Sequence, residues 1–348
     1  MLQSSPGLIF AGVLSLSLAA CASGTTLDSS AGALPGEGGG GGVGGGGVGG
    51  GGVGGGDGWI DPTWVNPGPP AVWNPPSVTV PGACSELTSH HIYTVSSYSE
   101  LYSFHPATLD FRFIGQFKCA CPVELWQIEA VSPLSMAVDR SGVAWIESHS
   151  GRLARLDIET GVCEPVMSTP GDRPPWRFGM AFASDGVPGE ETLYLREALV
   201  GGTPDEVDPV RALATFDARS RTIRPLGVGE GRDADLTGTG DGRLFGFVRG
   251  APGEPASLSE YDKRTGATLS QTPLSGVSIH DSASWAFATW GGAFYFFVLN
   301  PDPVDRITSS VYRYDPLSGA PPELLRDDLP AEIIGAGVST CAPTVIPQ

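Results

Sequence analysis

The side chains best placed for chemistry are Asp233, Asp235 and Asp241, which with Thr237 and Thr239 set an oxygen at every second position of one short stretch. Gly238, Gly240 and Gly242 fall between and after them. Hard oxygen ligands at such spacing are what a calcium loop supplies. Counted from Asp233, however, the twelfth position is Leu244, where an EF-hand loop requires a bidentate glutamate. A strand running into a Gly-rich turn accounts for the same residues. No cofactor or metal is therefore expected, with calcium at Asp233, Asp235 and Asp241 as the alternative the residues admit. Five histidines complete the inventory: His90 and His91 at the start of a strand, His105 at a turn, His149 in a Ser-His-Ser-Gly turn, and His280 beside Asp281 and Ser282. A hydrolase built on the last group would be expected to carry a Gly-x-Ser-x-Gly nucleophile elbow, and none occurs. No catalytic residue is assigned.

A formal net charge of −18 argues against nucleic acid, which needs a basic footprint, and against adhesion to anionic lipid headgroups. At the N-terminus an apolar run from Leu8 ends in Leu18-Ala19-Ala20-Cys21, which resembles a bacterial lipobox. The 13 positions from Leu8 to Ala20, interrupted by Gly12, Ser15 and Ser17, fall short of the roughly 20 apolar residues a spanning helix needs. The resemblance implies a signal peptide over residues 1–20, cleavage before Cys21, and acylation of that cysteine, so that the lipid bilayer becomes the first partner. Residues 21–82 follow as a Gly/Pro-rich tether, almost pure glycine from 36 to 56, with Val43, Val48 and Val53 as its only interruptions there besides Glu37. Such a composition cannot bury enough apolar surface to offset its backbone entropy, so a disordered linker is expected. Some 60 residues of this kind reach roughly 40–45 Å. Its second half turns Pro-rich and carries Trp59, Trp64 and Trp73, rings expected to pack back on the folded part.

The elements that must position the chemical residues are legible from a repeat in residues 83–348. Strands ending in an Asp-containing turn recur as Leu153–Gly161, Leu213–Asp217, Leu258–Gly266 and Val311–Gly319, with His105 standing at the Asp position of a first copy from Leu101. Apolar hairpins with glycine turns precede four of them: Met136 to Ile146, Met180 to Leu195, Thr237 to Phe247 and Trp285 to Phe297. With one further strand each, such as Phe111 to Gly115, this makes five four-stranded units, the pattern of a β-propeller. The first unit lacks its innermost strand, while one is left over around Ile333 to Thr340. An all-β propeller of five blades, the C-terminal strand closing the first, removes both free edges. That closure would bring Cys84 and Cys341 to one hairpin end, predicting a disulfide between them. Cys163 is expected to pair with Cys121, with Cys119 as the competitor; in an exported protein disulfides outweigh zinc.

Lipobox, Gly-rich linker and propeller repeat together resemble the lipoproteins of myxobacteria-type Gram-negative genomes, the segments Met136 to Gly142 and Thr237 to Phe247 being the most recognisable. The resemblance implies a cell-envelope address, and Ala22, in place of a retaining aspartate, implies the outer membrane. The expected role is a monomeric, membrane-anchored binding or scaffold module for an envelope protein or glycan. A hydrolase or lyase acting on a sugar or lactone, and an envelope spacer without a ligand, are the alternatives. Calcium-dependent lactonase propellers carry several asparagine ligands, whereas Asn300 stands alone between Cys84 and Cys341.

Overall fold

The computed structural model describes residues 84–117, 133–148, 152–168, 177–198, 211–229, 232–277, 279, 284–301 and 307–346. These form one short helix, α1 (Glu86–His90), and twenty strands in five antiparallel sheets of four. The first sheet holds β1 (Ile92–Ser96), β2 (Glu100–His105) and β3 (Asp110–Gln116), with β20 (Ile333–Gly337) alongside β1. The second contains β4 (Pro133–Val138), β5 (Val143–Ser148), β6 (Arg152–Asp157) and β7 (Cys163–Ser168); the third β8 (Arg177–Ser184), β9 (Glu191–Ala198), β10 (Arg211–Asp217) and β11 (Thr222–Gly229). The fourth is β12 (Ala234–Gly238), β13 (Leu244–Val248), β14 (Ser257–Tyr261) and β15 (Thr268–Pro273), and the fifth β16 (Trp285–Trp290), β17 (Ala293–Pro301), β18 (Ile307–Tyr314) and β19 (Glu323–Leu329).

The sheets are the blades of a five-bladed β-propeller. Their innermost strands touch in the cyclic order β20, β4, β8, β12, β16 and back to β20, so the ring is closed. Closure comes from pairing the two chain ends: Tyr93 opposes Gly337, Thr94 opposes Ala336 and Val95 opposes Gly335. An inner strand that would otherwise be missing from the first blade is thus supplied by the C-terminus, and no inner edge is left unpaired.

Five strands can meet around one axis only if their side chains are small. Glycine or alanine therefore stands where inner strands meet: Gly179, Ala181 and Ala183 on β8, Ala286 and Ala288 on β16, Gly335, Ala336 and Gly337 on β20. A methyl on Gly179 would lie 2.5 Å from the Ala234 carbonyl oxygen, and one on Gly337 would lie 3.0 Å from Ala137 Cα. Larger groups fill the spaces between blades. Phe247 meets Phe296 at 4.5 Å between the fourth and fifth blades, Trp145 meets Phe182 and Phe216 between the second and third, and Phe104 meets Phe297 between the first and fifth. Ring pairs of this kind add about 0.5–1.5 kcal/mol each beyond their burial.

The Asp-turn repeat has a concrete cause. Asp157 Oδ1 accepts from the backbone N–H groups of Glu159 and Thr160, Asp217 Oδ1 from Arg219 and Ser220, Asp262 Oδ1 from Arg264 and Thr265, and Asp315 Oδ1 from Leu317. His105 does the same work through Nδ1, which accepts from Thr108 N–H at 3.3 Å. Amide donation by Ser220 holds the Asp217 carboxyl below the usual carboxylate range, so the turn keeps its charged acceptor. One element was not foreseen: the residues before β1 form α1, with a reciprocal cap in which Thr88 N–H donates to Ser85 Oγ and Ser85 N–H to Thr88 Oγ1. His90 therefore ends a helix and His91 follows it, where a strand start was expected.

Gly337→Val should lower stability by about 1–3 kcal/mol, because the inner ring has no room to relax. Gly115→Val on the rim strand β3, where an added Cβ meets nothing within 4 Å, should leave the urea midpoint almost unchanged. Urea titration of both variants compares the two positions directly.

Candidate functional site

The ring has two unlike ends. Each inner strand runs from one pole to the other, so the first-to-second and third-to-fourth strand turns lie at one pole, and the remaining connections lie at the opposite one. The turn pole carries tight loops such as Asp139–Gly142 and Gly291–Gly292. The strand ends flanking the longest connections lie at the other pole: those of β3 and β4 (117–132), β9 and β10 (199–210), and β15 and β16 (274–284).

Halfway along the axis, the inner strands are tied by hydrogen bonds that pass from blade to blade. Met180 N–H donates to Ser135 Oγ at 3.2 Å, Ser135 Oγ donates to Asp235 Oδ1 at 3.0 Å, and Phe287 N–H donates to Asp235 Oδ2 at 3.4 Å. Four blades are joined through the Ser135 hydroxyl and the Asp235 carboxyl. Nearer the turn pole Thr289 N–H donates to Thr237 Oγ1 at 3.2 Å. Burial pushes the Asp235 carboxyl up to about 7, against the opposing effect of its donors. Asp235 thus serves as an axial clasp. Asp233 lies just before β12 and Asp241 in the turn beyond it, and among the described residues no three His, Cys, Asp or Glu side chains gather as a metal site. The alternation that suggested a calcium loop is the alternation of an inner strand, which points Asp235 inward between blades.

The turn pole is sealed by the two chain ends. Cys84 and Cys341 are bonded, 257 residues apart in sequence and 5.5 Å between Cα atoms, as ring closure required. Arg140 Nη2 lies 3.3 Å from Cys84 Sγ, and its Nη1 donates to Thr340 Oγ1 at 3.1 Å. Thr340 Oγ1 in turn donates to Glu191 Oε2, and Arg140 N–H donates to Glu191 Oε1. Burial lifts the Glu191 carboxyl to about 7 although both donors oppose it. The helix α1 is pinned to the same pole by Trp290, whose Nε1–H donates to the Ser89 carbonyl at 2.9 Å. Beyond α1, His91 and His105 sit with ring centroids 5.3 Å apart, and His105 lies 6.4 Å from Trp290. Burial lowers the His91 pKa, and the neighbouring His105, His90 and Arg112 push the same way. These rings pack the base of the cap.

Glu147, near the connection-pole end of β5, and Arg196 on β9 have no exposed surface, and the Arg196 guanidinium lies 4.7 Å over the ring of Tyr261, the last residue of β14. Arg249 lies 4.2 Å over Trp285. Ser284 Oγ donates to Glu332 Oε1 at 2.5 Å, tying the fifth blade to the start of β20. Tyr98, in the β1–β2 connection, is 61% exposed.

Cys21, Cys119, Cys121, His149 and His280 fall outside the described residues. Cys163 on β7 is disulfide-bonded, its partner also outside them. Sequence reading missed the Ser135–Asp235 clasp and the Arg140–Glu191–Thr340 cluster. Their members are scattered over separate repeats, and only the buried position of Asp235 in an inner strand could have hinted at the first.

No protein-family model matches the chain, and no curated protein is similar to it in sequence. Among solved structures it is similar to TolB from Acinetobacter baumannii, at 15% identity and a TM-score of 0.39, covering 69% of this chain and 53% of that one. The chain thus spans about half the length of TolB. A structure of the nidogen/laminin complex gives 10% identity and a TM-score of 0.41, covering 72% and 98%. The Dos1 propeller gives 10% and 0.35, covering 68% and 56%. These likenesses concern the fold alone.

Asp235 and Glu191 both hold their protons more tightly in the folded state than in the unfolded chain. Folding stability should therefore fall as pH rises from about 4 to about 7, the interval in which the unfolded chain ionises first. Asp235→Asn should remove roughly one proton's share of that slope, measured by urea titration at several pH values. Cys341→Ser should cost about 5 kcal/mol on the loop-entropy estimate, read as a drop in Tm that reductant, which also breaks the Cys163 bond, should equal or exceed in the wild type.

Proposed function

We propose that this chain is an exported, lipid-anchored propeller whose connection pole binds an envelope protein or glycan. The observation that carries the reading is the polarity of the ring. One pole is closed by α1, the C-terminal tail and the Cys84–Cys341 bond, and it is where the preceding 83 residues join. The opposite pole faces away from that attachment and carries the longest connections, the part of a fold where binding residues concentrate. Lipobox and Gly-rich linker support the anchor. Two disulfide-bonded positions, Cys84–Cys341 and Cys163, fit an oxidising compartment. No helix among the described residues is long and apolar enough to cross a membrane. A binding role is favoured over turnover because the carboxyl on the axis, Asp235, is engaged by Ser135 and Phe287.

The test is affinity capture of the tagged mature protein from solubilised envelope, with and without chelator, followed by quantitation of the captured component. Tyr98→Ala at the connection pole should weaken capture about tenfold without changing Tm. Leu317→Ala at the turn pole should leave it intact. Equal loss in both variants, or turnover of a screened lactone or glycan without any captured partner, would refute the proposal.

A further inference from the structure

The exposed aliphatic side chains are unevenly placed. Leu317 at 94% exposure, Val345 at 72%, Ile346 at 58%, Val187 at 49% and Leu87 at 39% stand at the turn pole, and Leu269 and Leu324 lie near the turn-pole ends of the outer strands β15 and β19. The first five occupy the β18–β19 turn, the C-terminal tail, the β8–β9 turn and α1. At the connection pole, Tyr98 alone of the described large apolar residues is comparably exposed. The tail that presents Val345 and Ile346 is held in position: Gly291 N–H donates to the Pro343 carbonyl at 2.7 Å, and a Cβ on Gly292 would lie 2.7 Å from the Thr344 carbonyl oxygen. Leu87 sits on a helix capped at Ser85 and stapled through Cys84. Fixed apolar tips at one end of a molecule mark a surface built to meet something.

We infer that the turn pole rests on a neutral lipid interface, its aliphatic tips entering the boundary between headgroups and acyl chains. The inference depends on the lipid-anchored reading of Cys21. Residues 1–83 join the described chain at Cys84, on this pole, so an anchor at residue 21 brings this face and not the other toward the bilayer. Tethering keeps the local concentration of the face at the lipid high, so a handful of aliphatic contacts suffices for docking although they would not recruit a free protein. The headgroups must be neutral. Arg219, Arg221, Lys263 and Arg264 offset the Asp217 and Asp262 turns, but Asp139, Asp157, Glu159, Asp185, Glu190, Asp241 and Asp315 leave the loops of this pole with more carboxylates than cations, a balance that anionic lipid would repel. Docking in this pose leaves the connection pole facing away from the membrane.

The experiment uses the acylated full chain on phosphatidylcholine/phosphatidylethanolamine vesicles, with hydrogen exchange followed over residues 86–90, 316–318 and 343–346. Exchange in these segments should slow at least about fivefold relative to the soluble Cys21→Ser protein. The acylated Leu317→Asp/Ile346→Asp variant should still float with the vesicles but lose that protection, as should the wild type on vesicles enriched in phosphatidylglycerol. Flotation with unchanged exchange would overturn docking and leave the anchor standing. Failure to float would overturn the anchor and the docking with it. Protection already present in the vesicle-free Cys21→Ser protein would also overturn lipid docking, assigning the face to a second copy if it grows with protein concentration and to the chain's own preceding segment if it does not.

Discussion

Everything in this propeller depends on the close approach of five inner strands around one axis. The approach is feasible because Gly179, Gly335 and Gly337 lack the Cβ that a neighbouring backbone would strike, and because alanines occupy much of the remaining contact surface. Small residues alone would leave the axis weakly held. The polar chain from Met180 through Ser135 to Asp235 and Phe287 provides directional ties across it. A buried carboxyl would be costly if ionised and unpaired, and the rise of Asp235 toward neutrality is the physical sign that the protonated form suits the site.

Closure of the ring fixes the two poles and so the direction of the molecule. With β20 beside β1, the two ends of the described propeller lie at the turn pole, where the Cys84–Cys341 bond, Arg140, Glu191 and Thr340 lock them. The covalent bond protects the one place where a propeller closed by its own terminus can open, because losing β20 would expose both β1 and its neighbour β4. The segment preceding Cys84 joins the propeller at that pole, and the strand ends that flank the longest connections lie at the other.

The repeat architecture was legible because each blade repeats a locally determined turn. Asp157, Asp217, Asp262 and Asp315 each close a turn with their own neighbouring amides, a short-range interaction that any sequence copy reproduces, and His105 shows that another acceptor can take the place. The missing strand of the first unit and the surplus strand at the C-terminus likewise implied closure, and with it the Cys84–Cys341 bond. The helix α1 was not legible, because Glu86–His90 is a single capped turn whose stability comes from Trp290 and the disulfide, both distant in sequence. The role of the alternating oxygens from Asp233 to Asp241 was not legible for a related reason. Period two is shared by a metal loop and by a strand, and the partners that distinguish them lie on other blades.

By itself, the sequence determined the all-β class, the five repeating units, the strand that closes them and the cysteines that staple the closure, since each follows from local propensity or from counting strands. Tertiary structure alone decided what Asp235 does, which pole is capped, where α1 packs, and that the exposed aliphatic tips Leu87, Val187, Leu317, Val345 and Ile346 share one face. These last facts concern residues brought together from separate blades. Their juxtaposition is set by ring closure, a global constraint that no local stretch of the chain encodes.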